Sequence, residues 1–186
     1  MIVEQESEAA RASKEIIAKN MEYTLFSWSV QSVANPIAVA KAKGSCFWDV
    51  EGRRDLDFSS QLMNMNIGHG HPKVIEAIKA QADELAFIYP GCATKPRGEA
   101  AEKLSKIAPG NLKKVFFTNG GADAIENAMK MARLVTGRQK VMTRYRAYHG
   151  ATFGAMSAGG DPRRLANEPG VPWIVRMLDP YSYRSP

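Results

Sequence analysis

The chain has 186 residues, of which 45% are hydrophobic and 24% are charged, so it can build a core for one ordinary globular domain, or one domain with an appendage, and extensive disorder is excluded. The net charge of +6 comes from scattered lysines and arginines, a pattern that disfavours a nucleic-acid surface and suits small anionic ligands. No apolar run is long enough to predict a membrane span, and the acidic stretch Met1–Arg11 does not resemble a signal peptide. Cys46 and Cys92 lack the spacing of a metal site. We therefore expect a cytoplasmic location.

The first third of the sequence predicts a helix followed by a small antiparallel meander. Apolar residues spaced among charges predict an N-terminal helix over Ser7–Tyr23. Short runs rich in β-branched and aromatic residues then alternate with glycine-containing turns, which is typical of adjacent antiparallel strands. The predicted strands are Val39–Lys43, Cys46–Val50 and Asp55–Phe58.

Beyond the meander, helical patterns alternate with short apolar runs. Pro72 is suited to a first helical turn, and the stretch that it opens carries apolar residues at helical spacing through Leu85. A strand, a helix and a second strand within about 30 residues form the unit of a parallel sheet, so the fold class is α/β. The predicted elements are a helix over Arg97–Ile107, a strand over Lys113–Thr118, a helix over Ala122–Val135, and strands over Lys140–Thr143 and Trp173–Met177.

These patterns predict two parts of unequal completeness. Residues 1–60 form a small α+β segment, and residues 61–186 begin a larger domain with a parallel-type sheet and flanking helices. After Gly159 the sequence is rich in proline and reaches Pro186 without a closing element. A parallel sheet needs more strands than the sequence offers here, so we expect the chain to be the N-terminal portion of a longer protein.

A glycine pair between the predicted strand 113–118 and the next helix is the most informative feature, in the stretch "VFFTNGGADAIENAMKMAR". Gly120 and Gly121 can adopt backbone angles that are closed to other residues. With the free N–H groups of the helix start they can bind a phosphate at the carboxyl end of a strand. An ordinary tight connection is the alternative, and the charge of Asp123 opposes a phosphate unless it is simply solvated. Neither GxGxxG nor GxxxxGK[ST] is present, which disfavours a dinucleotide site or a P-loop.

Two further clusters contain residues able to bind ligands. Tyr148, His149 and Gly150 follow the next predicted strand, where an aromatic ring could stack on a flat cofactor; the alternative is packing within a loop. His69 and His71 lie in "NIGHGHP" without a third metal ligand, so a turn before the Pro72 helix is favoured over a metal site.

Together these segments resemble the class III pyridoxal-phosphate (PLP) aminotransferases. The resemblance rests on "AKGSCFWDVEGRRDLDFSSQLMNMNIGHGHPKVIEAI", "FFTNGGADAIENAMKMAR" and "YRAYHGATFGAMSAGGDP", in this order. The segments "SWSVQS" and "MLDPYSYRSP" are similar to the pyruvate-using branch that handles ω-amino donors such as taurine or β-alanine. The resemblance implies fold type I, a homodimer, PLP as cofactor, and an amine donor with an α-keto acid as substrates.

The resemblance also implies roles for individual residues. Relatives often carry a hydroxyl residue where Gly120 or Ala122 stands, so backbone N–H groups would hold the phosphate here unaided. Tyr148 corresponds to the aromatic residue that stacks on the pyridine ring. Four further residues correspond to the substrate mouth or, for Tyr89, to a pocket of this or the partner subunit, although core or interface packing would explain them equally. The implied cofactor residues are Gly120, Gly121, Ala122, Tyr148, His149 and Gly150; the implied substrate residues are Trp28, Leu62, Met63 and Tyr89.

No catalytic residue is expected in this chain. The family needs a lysine that forms the Schiff base with PLP and an acidic residue that pairs with the pyridine nitrogen. None of the 13 lysines stands in the family's lysine motif, which lies beyond Pro186. Two alternatives remain open: another class III PLP enzyme, such as an aminomutase or a decarboxylating aminotransferase, or a truncated, non-catalytic interaction or dimerisation fragment.

Overall fold

A computed structural model describes residues 7–184. The expectations for the first residues of the acidic N-terminus and for the end at Pro186 lie outside the described residues. Internal packing divides the chain into two compact units, with the boundary in the sequence between Cys92 and Ala93. We call them the N-terminal and the C-terminal unit. The predicted boundary after residue 60 stays a prediction. No helix in the described part of the chain is long and apolar enough to cross a membrane.

The N-terminal unit begins with helix α1 (Glu8–Tyr23), which confirms the predicted helix. The hydroxyl of Ser7 accepts the N–H of Ala10 at 3.1 Å and so caps one of the donors that lack a helical partner. At the other end the N–H of Thr24 bonds to the carbonyl of Asn20 at 3.0 Å.

The predicted meander is confirmed as an antiparallel sheet in the order β1-β2-β3. Gly44 and Gly52 occupy its turns with φ of 59° and 84°, angles that glycine adopts without a steric penalty. Asp49 is buried at the end of the second strand, where its carboxylate accepts the backbone N–H of Arg53 at 2.8 Å and its Nε at 2.7 Å. The strands are β1 (Val39–Lys43), β2 (Cys46–Asp49) and β3 (Arg54–Leu56).

A single turn, α2 (Ser60–Met63), follows the sheet. All four of its residues have positive φ, between 49° and 64°, so the turn is left-handed. The next helix, α3 (Pro72–Leu85), begins with proline in its first turn and confirms the helix predicted from Pro72.

The described part of the C-terminal unit contains three α-helices, a 3-10 helix over Pro162–Asn167 and a parallel pair of strands. The predicted helices after Ala93 and the strands near residues 140 and 174 are confirmed to within a few residues. Strand β4 pairs in parallel with β5, Val141 opposite Ile174 and Arg144 opposite Met177. The elements are α4 (Lys95–Ile107), α5 (Gly121–Thr136), β4 (Val141–Arg144), α6 (Phe153–Ala158) and β5 (Ile174–Met177).

The strand predicted over Lys113–Thr118 is wrong. The segment is irregular, and Phe116 and Phe117 are 64% and 47% exposed. An extended segment becomes a strand only when a neighbour completes its backbone hydrogen bonds, and no described strand lies beside it. The parallel connection in this unit is instead β4–α6–β5, with α6 unpredicted.

The most deeply buried residues of the C-terminal unit lie where α5 and α6 pack. Ala155 and Ala158 are 0% and 2% exposed and Met129 of α5 is 7% exposed. Small residues on α6 allow this close approach, and the chain between β4 and α6 reaches the start of α5 at Gly150, which lies against Ala122. That chain carries the second predicted cluster.

Candidate functional site

The glycine pair forms the start of helix α5. The first backbone bond of the helix runs from Ala124 N–H to the Gly120 carbonyl at 3.0 Å, so the N–H groups of Gly121, Ala122 and Asp123 precede the helical ladder. Gly120 is extended, with φ of −175°, and neither glycine has a positive φ, so the pair does not use the backbone angles that are closed to other residues. Their contribution is room: a Cβ on Gly120 or Gly121 would meet nothing within 4 Å. We call Gly120–Ala122 the phosphate turn, after the role that the sequence predicts for it.

The charge of Asp123 is already engaged inside this turn. Its Oδ2 accepts the N–H of Asn119 at 3.3 Å and its Oδ1 accepts Nδ2 of Asn127 at 3.0 Å. The start of a helix carries a partial positive charge, and α5 is 16 residues long. Open space, unpaired N–H groups and a helix start together fit a phosphate.

The second cluster lies directly on the phosphate turn. Tyr148, His149 and Gly150 follow β4, and we call them the stacking loop after the role that the sequence predicts for Tyr148. Gly150 has φ of 127°. A Cβ on Gly150 would lie 2.4 Å from the Cβ of Ala122 and 2.9 Å from its Cα. Only glycine permits this approach, so the structure brings the two predicted clusters together.

The ring of Tyr148 is held by an arginine. The guanidinium carbon of Arg163 lies 4.6 Å from the ring centroid, within the range of a cation–π contact. Asp161 accepts Nε and an Nη of Arg163 at 2.6 and 2.8 Å. These bonds and the Arg163 N–H lower the pKa of Asp161 from 3.8 to about 2. A cavity of about 20 Å³ is lined by all three stacking-loop residues together with Asp161 and Arg163.

Sequence reasoning missed a carboxylate that joins α5 to α6. Oε1 of Glu126 accepts the hydroxyl of Thr152 at 2.7 Å and the N–H of Ala155 at 2.9 Å. Glu126 lies four residues after Ala122, and this spacing puts two side chains on one helix face. The spacing could have indicated the residue; Arg163 and Asp161 left no comparable signal.

The predicted substrate residues all lie in the N-terminal unit. Leu62 and Met63 are neighbours on the left-handed turn α2, 63% and 76% exposed. Trp28 also has positive φ, 59°, and is 64% exposed, while Tyr89 is 71% exposed. Their contact with a substrate stays a prediction.

His69 is hydrogen-bonded to a buried carboxylate. Its Nε2 lies 2.7 Å from Oδ2 of Asp57, whose side chain is 3% exposed, while Oδ1 of Asp57 accepts the N–H of Gln61 at 3.1 Å. Burial alone would raise the pKa of Asp57, but the bonds from Gln61 and His69 hold it below its usual value. His71 ends the loop before α3, where its carbonyl accepts the N–H of Val74 at 3.0 Å. Within residues 7–184 no three His, Cys, Asp or Glu side chains are placed to hold a metal ion.

Comparison with known proteins extends the resemblance. The profile of the family described as Aminotransferase class-III matches residues 28–184. A probable 4-aminobutyrate aminotransferase of Bacillus subtilis is 41% identical over 161 residues, which cover 83% of this chain and 36% of that protein. An isoleucine 2-epimerase of Lentilactobacillus buchneri is 37% identical over 153 residues, covering 80% of this chain and 34% of its own length.

Solved structures share the fold. A taurine:2-oxoglutarate aminotransferase from Bifidobacterium kashiwanohense, in complex with PLP and glutamate, superposes with a TM-score of 0.87 at 43% identity, covering 92% of this chain and 39% of that one. An (S)-enantioselective omega-transaminase from Thermomicrobium roseum gives a TM-score of 0.84 at 35% identity, with 92% and 41% covered. The chain therefore spans less than half the length of the proteins that it matches, and its fold is part of the larger fold of PLP-dependent aminotransferases.

Proposed function

The chain belongs to the class-III aminotransferase family, whose profile matches it over residues 28–184, and from that membership we propose a transaminase that holds PLP in the C-terminal unit. It moves an amino group from an ω-amino donor, such as taurine or β-alanine, to an α-keto acid such as pyruvate. The observation that carries the proposal is the seating of Gly150 on Ala122, which joins an anion-binding turn to an aromatic loop.

The residues present fit this cofactor. The N–H groups of the phosphate turn donate to the phosphate, aided by the helix start, and the open sides of Gly120 and Gly121 admit it. The ring of Tyr148, steadied by Arg163, stacks on the pyridine ring, while His149 and Gly150 border it. When bound, PLP supplies the electron sink for breaking bonds at the carbon that bears the amine.

The names of the relatives support the choice of donor. One structural neighbour is a taurine:2-oxoglutarate aminotransferase and another is an omega-transaminase. The first name gives taurine as the donor, and the second gives the ω-amino group. We propose that the exposed side chains at the substrate mouth contact the donor, and that the protein is a homodimer in the cytoplasm. The proposed substrate residues are Trp28, Leu62, Met63 and Tyr89.

We also propose that the lysine that attaches PLP and the acid that pairs with its pyridine nitrogen are not among the residues of this chain. Transamination then requires a longer protein, and the 186-residue chain alone is inactive. A second candidate keeps the cofactor but changes the reaction, and the isoleucine 2-epimerase at 37% identity favours it, because a class III relative need not carry a transaminase name.

A donor and acceptor screen on the protein at its natural length tests the proposal. Taurine and β-alanine are each offered with pyruvate and with 2-oxoglutarate, and new amino acid is measured by chromatography. We expect alanine from pyruvate. Isoleucine offered without a keto acid tests the second candidate, because taurine and β-alanine have no stereocentre: epimerised isoleucine without any new amino acid would favour that candidate. No transfer from either ω-amino donor to either keto acid would contradict the transaminase assignment.

A further inference from the structure

We propose that Glu126 is a positioning residue that fixes the stacking loop against the phosphate turn. The inference rests on the proposed function, because it states how the two halves of the PLP site keep their spacing. Glu126 does not belong to either half. It acts through the segment that follows the loop.

Both hydrogen bonds of Glu126 end on the same oxygen. Its Oε1 accepts the Thr152 hydroxyl at 2.7 Å and the Ala155 N–H at 2.9 Å. Thr152 directly precedes α6, and Ala155 lies within it, fully buried. The carboxylate therefore joins α5 to the end of the segment that carries the stacking loop, over 26 and 29 residues of sequence.

The second oxygen fills the space beside a buried glycine. A Cβ on Gly154 would lie 2.3 Å from Oε2 of Glu126, closer than any real contact permits. At the other end of the segment, a Cβ on Gly150 would lie 2.4 Å from the Cβ of Ala122. Ala122 and Glu126 are one turn apart on the same face of α5. Helix α5 thus holds the segment at two points, and the stacking loop ends at the first.

Removing the Glu126 carboxylate leaves the segment held to α5 only at Gly150. Without Glu126, the Thr152 hydroxyl and the Ala155 N–H lose their acceptor, and a buried donor without a partner is unfavourable. The segment then moves to find water, and Tyr148 leaves its place relative to the phosphate turn. A neutral side chain with an oxygen at the Oε1 position retains both bonds, because one carbonyl oxygen can accept two donors.

The first test compares E126A and E126Q in the protein at its natural length, with E102A as control, since Glu102 of α4 makes only an exposed pair with Lys106. PLP affinity is measured by fluorescence titration. We expect E126A to weaken PLP binding about tenfold and E126Q to stay within about threefold of wild type, a pattern set by lost hydrogen bonds rather than lost charge. E102A should equal wild type.

Hydrogen exchange of the protein without PLP provides a readout that does not depend on the cofactor. We expect amides of residues 148–155 to exchange about tenfold faster in E126A while those of α4 are unchanged. Wild-type affinity and wild-type exchange in E126A would overturn the inference. So would E126Q weakened as much as E126A, because the account depends on one shared oxygen.

A double-mutant cycle with G154A covers the case in which E126A folds poorly. The added methyl group displaces the carboxylate, so G154A alone should weaken PLP binding about fivefold, whereas G154A added to E126A should cost less than about twofold more. Equal effects of G154A in both backgrounds would overturn the inference. If wild type binds no PLP, the proposed function falls and the cofactor part of the inference falls with it; if wild type binds and E126A binds equally, the inference alone falls.

Discussion

The left-handed turn α2 and the segment that carries the stacking loop place exposed side chains by different means. In α2, four consecutive residues other than glycine have φ between 49° and 64°. In the loop segment, the one residue with positive φ is a glycine, Gly150. Each region is tied down by a carboxylate, Asp57 in the first and Glu126 in the second.

The difference lies in where the conformational strain is placed. A left-handed residue with a Cβ costs about 1–2 kcal/mol, so α2 stores strain that its anchors must offset. The loop segment avoids this strain with glycine and uses its anchor for spacing alone. Removing the anchoring hydrogen bonds should therefore loosen both regions. Introducing a glycine into α2 should stabilise the protein, whereas replacing Gly150 in the loop segment should destabilise it.

Replacement of Gly150 should have the largest effect. G150A places a methyl group 2.4 Å from the Cβ of Ala122 at φ of 127°, so we expect a loss of about 3 kcal/mol in the free energy of unfolding and at least about 100-fold weaker PLP binding. Urea unfolding and PLP titration measure the two effects. The control is G137A, at φ of 67° in open space, which should cost about 1 kcal/mol. Equal losses for both variants would show that Gly150 does not rest on Ala122.

Removal of the partner of Asp57 should release the strained turn. H69A leaves the buried Asp57 carboxylate with its bonds from Gln61 but without its imidazole partner, so we expect proteolytic cleavage near residues 60–63 to be faster by on the order of tenfold. H71A is the control for loss of a partly buried imidazole, because the His71 Nδ1 has no hydrogen-bond partner among the described residues and the bond from Val74 goes to the His71 carbonyl, which any residue supplies. Unchanged cleavage in H69A would mean that the pair does not anchor α2.

A glycine introduced into α2 should stabilise the protein. L62G leaves the Gln61 bonds to Asp57 intact and removes the Cβ of an exposed residue at φ of 57°, so we expect a gain of about 0.5–1 kcal/mol in urea unfolding. I78G, at an equally exposed apolar position of the right-handed helix α3, should lose about 1 kcal/mol. A loss in L62G as large as in I78G would contradict the assignment of strain to this turn.

Acid should lower the free energy of unfolding through both regions, and this is the smallest of the expected effects. The pKa of Asp161 is lowered to about 2, so the folded protein binds this proton less readily than the unfolded chain. Its contribution is complete above the unfolded value near 3.8 and is lost as the pH falls from there towards 2. Asp57 has the same sign, because its pKa is also lowered. We expect D161N to unfold with a shallower dependence on pH between about 4 and 2; an unchanged slope would show that Asp161 is not held by Arg163.

Local patterns predicted much of this molecule. Periodic apolar residues and terminal prolines predicted α1, α3, α4 and α5, and the glycine turns predicted the meander. The approach of Gly150 to the phosphate turn could be expected only from the family resemblance, because the strand predicted over residues 113–118 is not formed. The other features depend on residues close in sequence.

The failures depend on partners distant in sequence. Residues 113–118 have strand composition, but composition cannot supply a neighbouring strand. The left-handed backbone of Ser60–Met63 contains no glycine from which it could be predicted. It is held instead by Asp57, which is hydrogen-bonded to Gln61 and His69. Glu126 meets α6 across 29 residues, and only the folded structure identifies that contact.

The most direct test of the central claim asks whether the phosphate turn binds the phosphate of PLP. G121D adds a carboxylate in open space at the start of α5, where an acidic residue favours the helix, so lost binding would not reflect unfolding. G121N has the same shape without the charge. We predict that PLP binding, measured by fluorescence titration, is weakened at least about 30-fold by G121D and about threefold by G121N, because only the carboxylate repels the phosphate. Equal affinities for the two variants would contradict the assignment of this turn to the cofactor.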